Sequence, residues 1–136
     1  MKIFLDANIL VSVFNKEYPL FSYTSRILSL TDKKEFQLYT SPICLAIAFY
    51  FAEKKSGAKN AKKKIQLLIS KINIADADKK CVLMASQYKA IEDFEDGLEY
   101  YAALHAGCNC IITEDINDFY FSEIKVLTSQ QFITKL

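Results

Sequence analysis

The sequence predicts an α/β domain with a parallel sheet covered by helices on both faces, and three observations carry that expectation. Short apolar runs alternate with helical patterns along the 136 residues, and strands joined in turn by helices run parallel. Glycine and proline number only 3 and 2, and no repeat, linker or low-complexity stretch divides the chain, so a single domain over residues 1–136 is expected. Half of the residues are apolar and a quarter charged (51% and 24%), which is the composition of a chain with a buried core rather than a disordered or fibrous one.

The elements follow in order. Lys2 to Leu5 is a short apolar strand ending at Asp6, and Asn8 stands where it can cap a helix starting at Ile9. A second helix is expected over Leu20–Leu30 and a strand over Gln37–Thr40. Ser41-Pro42 supplies an N-cap followed by proline at the first helical position. The helix it opens is apolar nearly all round (Ile43, Leu45, Ile47, Phe49, Tyr50, Phe51), which predicts burial on most sides. Gly57 separates it from an amphipathic helix over Ala58–Ser70. Ala61, Ile65, Leu68 and Ile69 form the apolar stripe of that helix, opposite Lys59, Lys62 and Lys63. Lys71–Ala75 reads as a strand and Asp78–Ala90 as a helix. Asp93 opens another helix, with Phe94, Leu98, Tyr101, Ala102 and His105 at core-facing spacing and Gly107 as its stop. Cys110–Thr113 and Lys125–Leu127 are the last strands, before a C-terminal helix near Ser129.

The net charge of +1 hides an uneven distribution. Seven lysines lie between Lys54 and Lys71, five acids between Glu92 and Glu99, and four between Glu114 and Glu123. The start, MKIFLDANIL, reaches an acid at its sixth residue and does not read as a signal peptide. Cys44, Cys81, Cys108 and Cys110 sit in apolar surroundings, so reduced thiols and a cytoplasmic location are expected. The longest apolar run, Ile43 to Ala52, is too short to span a bilayer.

In open parallel sheets ligands bind beyond the carboxyl ends of the strands. Asp6 lies just past the first strand, and Glu114, Asp115 and Asp118 just past the strand ending at Thr113. Asp93 and Asp96 lie in the first turn of the helix leading into that strand. Two carboxylates about 5 Å apart repel by roughly 3 kcal/mol at an effective dielectric near 20. A convergent group therefore raises its members' pKa values or holds a hard cation. All-oxygen ligation suits Mg²⁺ or Mn²⁺, which can activate water and offset charge on a phosphodiester. Taken singly, these acids also fit caps and turns, and the lysine-rich helix fits a solvated face. His105, Cys108 and Cys110 lack a fourth metal ligand at suitable spacing, and strand alternation accounts for the two cysteines.

LDANIL at 5–10, DFEDGLEYYAALHAG at 93–107, and ITEDINDF at 112–119 followed by VLTSQQF at 126–132 resemble the PIN-domain family, and within it the VapC-like toxins of bacterial toxin–antitoxin pairs. The resemblance runs through nearly the whole chain in the right order. It implies a three-layer α/β/α sandwich with a short, mainly parallel central sheet. It also implies a Mg²⁺- or Mn²⁺-dependent endoribonuclease that acts on RNA, forms a homodimer and is inhibited by a cognate antitoxin protein. Asp6 matches the first family acid, Asp96 the third, and Asp115 or Asp118 the fourth; these four are the implied metal ligands, with Asp6, Asp96 and Asp115 catalytic. Asp93, Asn8 and Ser41 are secondary candidates. Lys54, Lys55, Lys59, Lys62 and Lys63 are candidates for the RNA backbone.

Two departures accompany the match. Many family members carry a second acid, usually glutamate, in the helix that here follows Ser41-Pro42, but no carboxylate lies between Glu35 and Glu53. Apolar residues around Leu45 to Ile47 take its place. Glu114 also stands where an arginine is common. The rival expectation is thus a catalytically weakened PIN-like module that binds RNA or protein.

Overall fold

The computed structural model describes all 136 residues. Strands β1 (Lys2–Leu5), β2 (Gln37–Thr40), β3 (Asn73–Ile74), β4 (Cys110–Ile112) and β5 (Lys125–Leu127) form one sheet in the order β3-β2-β1-β4-β5. All four pairings are parallel. The connecting helices are α1 (Ala7–Phe14), α2 (Phe21–Ser29), α3 (Pro42–Ser56), α4 (Ala58–Ile69), α5 (Lys79–Gln87), α6 (Phe94–His105) and α7 (Ser129–Thr134). Two 3₁₀ turns, Leu30–Asp32 and Ile116–Phe119, lie outside the sequence reading. The expected α/β/α sandwich is present: α1 packs on α2 and α3, α3 on α4, and α7 on α2, while α5 and α6 pack on each other.

The sheet grows from β1 through β2 to β3, then resumes on the other side of β1 with β4 and β5. The switch point therefore falls between β1 and β4, where such sheets leave a crevice. Ile3, Phe4, Leu5, Ile111 and Ile112 are wholly buried, as central strands covered on both faces require.

Several expectations are corrected. Helix α3 is not buried on most sides: only Cys44, Ala48 and Ala52, four apart, are buried, while Tyr50 and Phe51 are 54% and 45% exposed. These small residues form a narrow stripe that lets α3 pack closely, and the large apolar ones are left on its flanks. Ile69 likewise leaves the expected stripe of α4 and is exposed. In α6 the buried residues are Gly97, Glu99, Tyr100, Tyr101, Ala102 and Ala103, whereas Phe94 and His105 are exposed. This helix is covered from two directions, so a single stripe misjudges its buried face. At Gly97 a Cβ would stand 2.9 Å from Ile91 Cγ2 and 3.0 Å from Ala85 Cβ. Only glycine admits that approach of α5 to α6.

Candidate metal centre

The strand ends build the first half of the site. Asp6, not Asn8, is the N-cap of α1: its Oδ1 accepts the Ala7 N–H at 2.6 Å, and its Oδ2 accepts the Thr113 hydroxyl at 2.7 Å. Asn8 is thereby freed for the site. Its Nδ2 donates to Thr113 Oγ1 at 3.0 Å and to Asp115 Oδ2 at 3.2 Å, while its Oδ1 accepts the Glu114 N–H at 3.2 Å. Thr113 Oγ1 also accepts the Asp115 N–H at 3.1 Å, so its one donor and both lone pairs are engaged. Asp115 leads into the second 3₁₀ turn, where the Asp118 N–H reaches the Asp115 carbonyl at 3.0 Å and brings both acids to one side.

Helix α6 supplies the second half. Asp93 is its N-cap and accepts the Asp96 N–H at 3.1 Å. Asp96 and Glu99, three residues apart and so on one helical face, both reach the crevice. That crevice, of ≈ 430 Å³, is lined by Asp6, Asn8, Glu95, Asp96, Glu99, Asp115 and Asp118. Ile47 of α3 lies on its wall, whereas Ala46 faces solvent. The apolar residue at the crevice thus stands where the resemblance puts the second acid.

Glu99 is the site residue the sequence reading missed. It is 2% exposed, and its Oε2 has no hydrogen-bond partner. A carboxyl oxygen of Glu99, one of Asp6 and the Cys44 Sγ lie within 4.8 Å of one another. Burial raises the Glu99 pKa to about 11, helped by the Asp6 charge, a hydrogen bond to Asp6, and the Asp96 and Glu95 charges. Asp96 rises to about 7, again first through burial and then through Asp93, Asp118 and Asp6. Asp118 and Glu95 are also raised by burial, each with Asp6 among the charges acting on it. Cys44, whose Sγ is 3.9 Å from Asp6 Oδ1, keeps its proton because burial and the Glu99 and Asp6 charges oppose a thiolate. An unpartnered buried carboxyl oxygen among like-charged oxygens fits a hard cation such as Mg²⁺ or Mn²⁺.

The remaining candidates lie elsewhere. Asp93 is off the crevice wall and acts on Asp96 through its charge and its cap. Ser41 is a buried N-cap whose Oγ accepts the Cys44 N–H at 3.3 Å. None of Lys54, Lys55, Lys59, Lys62 and Lys63 lines the crevice. Lys54 Nζ sits 4.3 Å from the centre of the Tyr50 ring, and Lys55 donates to the Asn15 carbonyl at the end of α1. Glu114 accepts hydrogen bonds from the Ser129 N–H and hydroxyl, which ties the crevice rim to α7.

Sequence and structure meet in one assignment: the model of the PIN domain family matches residues 2–117, and the chain belongs to that family. Ribonuclease VapC1 of Aquifex aeolicus (strain VF5) is 29% identical over 135 residues, spanning 96% of this chain and 92% of the relative. Among solved structures, VapBC2 from Rickettsia felis bound to a DNA fragment from their promoter superposes with a TM-score of 0.70. It has 22% identity and covers 93% of this chain and 97% of that one. VapBC-1 from nontypeable Haemophilus influenzae gives 0.71 at 17% identity, covering 96% and 99%. At these identities the two structures speak for the shared fold.

Proposed function

We propose that this chain is a metal-dependent endoribonuclease and the toxin of a VapBC-type toxin–antitoxin pair. The observation that carries the reading is the convergence of Asp6, Asp96, Glu99, Asp115 and Asp118 on one crevice at the switch point of the sheet. Family membership and the likeness to a protein named a ribonuclease support it. Mg²⁺ or Mn²⁺ held by Asp6, Asp96 and Asp115 or Asp118, with Glu99 beside them, would supply Lewis-acid chemistry for phosphodiester hydrolysis. The chain's own groups prepare the site. Thr113 fixes Asp6, and Asn8 fixes Asp115. Without an ion, Glu99 keeps a proton beside Asp6 and so limits the repulsion within the cluster.

The substrate is RNA, and the exposure of Lys59, Lys62 and Lys63 supports their contact with its phosphates. The partners are a cognate antitoxin and a second copy of the chain. Tyr50, Phe51, Leu67 and Ile69, exposed on α3 and α4, support contact with protein. Four free buried thiols suit a reducing cytoplasm, and no helix is long and apolar enough to cross a membrane.

Ile47 on the crevice wall favours a second reading, a PIN-like binding module with little turnover. Incubating RNA with the purified chain, with and without Mn²⁺, separates the two. Metal-dependent cleavage that disappears in Asp6→Asn supports the nuclease. RNA or antitoxin binding without cleavage in any divalent metal supports the module.

A further inference from the structure

We propose that Asp78, Cys81 and His105 form a second metal site, for a Zn²⁺-class ion, remote from the acidic crevice. Cys81 Sγ lies 3.4 Å from His105 Nδ1. In a tetrahedral zinc site, bonds of about 2.3 Å to sulfur and 2.0 Å to nitrogen separate those two atoms by about 3.5 Å. The pair is therefore already spaced as two ligands of one ion. Asp78 completes the set: one carboxyl oxygen, the thiol and the imidazole nitrogen lie within 4.8 Å of one another. Asp78 Oδ1 accepts the Cys81 N–H at 3.1 Å, which holds the carboxylate over the thiol as the N-cap of α5. Sulfur, nitrogen and oxygen together suit borderline Zn²⁺ or Co²⁺, unlike the all-oxygen crevice.

Room for a fourth ligand is present. A cavity of ≈ 390 Å³ is lined by Asp76, Asp78 and His105 together with Tyr39 and Ile74, so water can complete the coordination. Cys81 is buried while Asp78 and His105 are exposed, which gives an ion a path to the thiol. On binding, the metal replaces the thiol proton, which leaves to solvent. His105 ends α6 and Asp96 lies in its first turn, about 13 Å away at 1.5 Å per residue. The two sites therefore share a helix but no ligand. The ion would clamp the start of α5 to the end of α6, the helix that carries Asp96 and Glu99.

Co²⁺ titration of the chelator-treated full chain, kept reduced with a phosphine, provides the test. One Co²⁺ per parent chain should give a thiolate charge-transfer band in the near ultraviolet and the visible bands of a tetrahedral site, distinct from any ion in the all-oxygen crevice, and Zn²⁺ should bleach both. Cys81→Ser should lose the charge-transfer band. His105→Asn, at an exposed position, should bind at least about tenfold more weakly, since loss of a mere outer-shell partner already costs 10–100-fold. Asp6→Asn should keep the whole spectrum. A parent without a thiolate band, a band that survives in Cys81→Ser, an unchanged affinity in His105→Asn, or a spectrum lost in Asp6→Asn would each overturn the proposal.

Discussion

Replacing Glu99 by glutamine should stabilise the metal-free protein at neutral pH, and the size of the effect follows from where its proton sits. An ordinary glutamate ionises at 4.5, whereas Glu99 in the fold holds its proton to about 11. Between those values the folded chain retains a proton that the unfolded chain has lost. Stability therefore falls with rising pH by about 1.4 kcal/mol per pH unit through this group. The benefit is fully present below pH 4.5 and drains away across the whole neutral range. From 4.5 to pH 7 is about 2.5 pH units, which at ~1.36 kcal/mol each gives about 3 kcal/mol. That figure depends on the folded pKa only in that it lies above 7.

Glutamine is neutral in both states, fills nearly the same space, and its amide can still donate to Asp6. Urea unfolding followed by circular dichroism at pH 5, 6, 7 and 8, with chelator present, reads the difference. Glu99→Gln should match the parent near pH 4.5 and gain on it at each step, reaching about 3 kcal/mol at pH 7. Saturating Mn²⁺ should narrow the gap, because an ion can take the place of the Glu99 proton and the variant lacks that carboxylate. Parallel pH curves for parent and variant would refute the argument and make Glu99 an ordinary ionised side chain.

Asp96→Asn removes a carboxyl held to about pH 7 by burial and its acidic neighbours. Thermal melts without metal at pH 7.5 should show an unchanged or slightly higher melting temperature and RNA assays no cleavage; a clear drop would make Asp96 structural. Ile47→Glu places a carboxylate on the crevice wall and should tighten Mn²⁺ binding about tenfold, or ~1.4 kcal/mol, whereas Ala46→Glu, facing solvent, should not. Equal calorimetric affinities for both folded variants and the parent would show that this acid does not limit the site, and unfolding of Ile47→Glu would mark the wall as dry. Gly97→Ala pushes a methyl to 2.9 Å from Ile91 and should cost about 1–3 kcal/mol from overpacking, partly offset by better helix propensity. An unchanged urea midpoint would mean that α5 yields freely.

Where local chemistry decides, the sequence was readable. The strands around Phe4, Tyr39, Ile111 and Val126, the Ser41-Pro42 helix start and the Gly107 stop all lie where composition and caps put them. Strand ends, a helix start and topology pointed to one crevice for Asp6, Asp93, Asp96, Glu114, Asp115 and Asp118, and the family resemblance singled out Asp6, Asp96, Asp115 and Asp118, all four of which line it. Contacts made across the fold were less readable. Cys81 and His105 are 24 residues apart and meet only because α5 packs on α6. Glu99 was hidden by a stripe drawn through Phe94, Leu98 and Tyr101, which placed it on the outer face. Two local signs pointed to it: its position three residues after Asp96, and the apolar run Tyr100 to Ala103 that follows it.

The capping and ligand readings of these acids also prove compatible. A carboxylate offers about four lone-pair sites, and a cap occupies one. Asp6 spends one oxygen on the Ala7 N–H and the other on Thr113, yet still lines the crevice beside Glu99. The cap fixes its rotamer, and the threonine fixes the plane of its carboxyl group. Asp93 works differently: it caps α6 and stays off the wall, but its charge helps lift the pKa of Asp96. Glu114 Oε1 accepts both the N–H and the hydroxyl of Ser129, so a rim position where the resemblance expects an arginine anchors α7 here. Counting an acid as either cap or ligand is therefore the wrong partition. What separates Asp6 from Asp93 is the direction left to the lone pairs after the cap is made, and that direction is set by the opposing strand end, not by the residue's own helix.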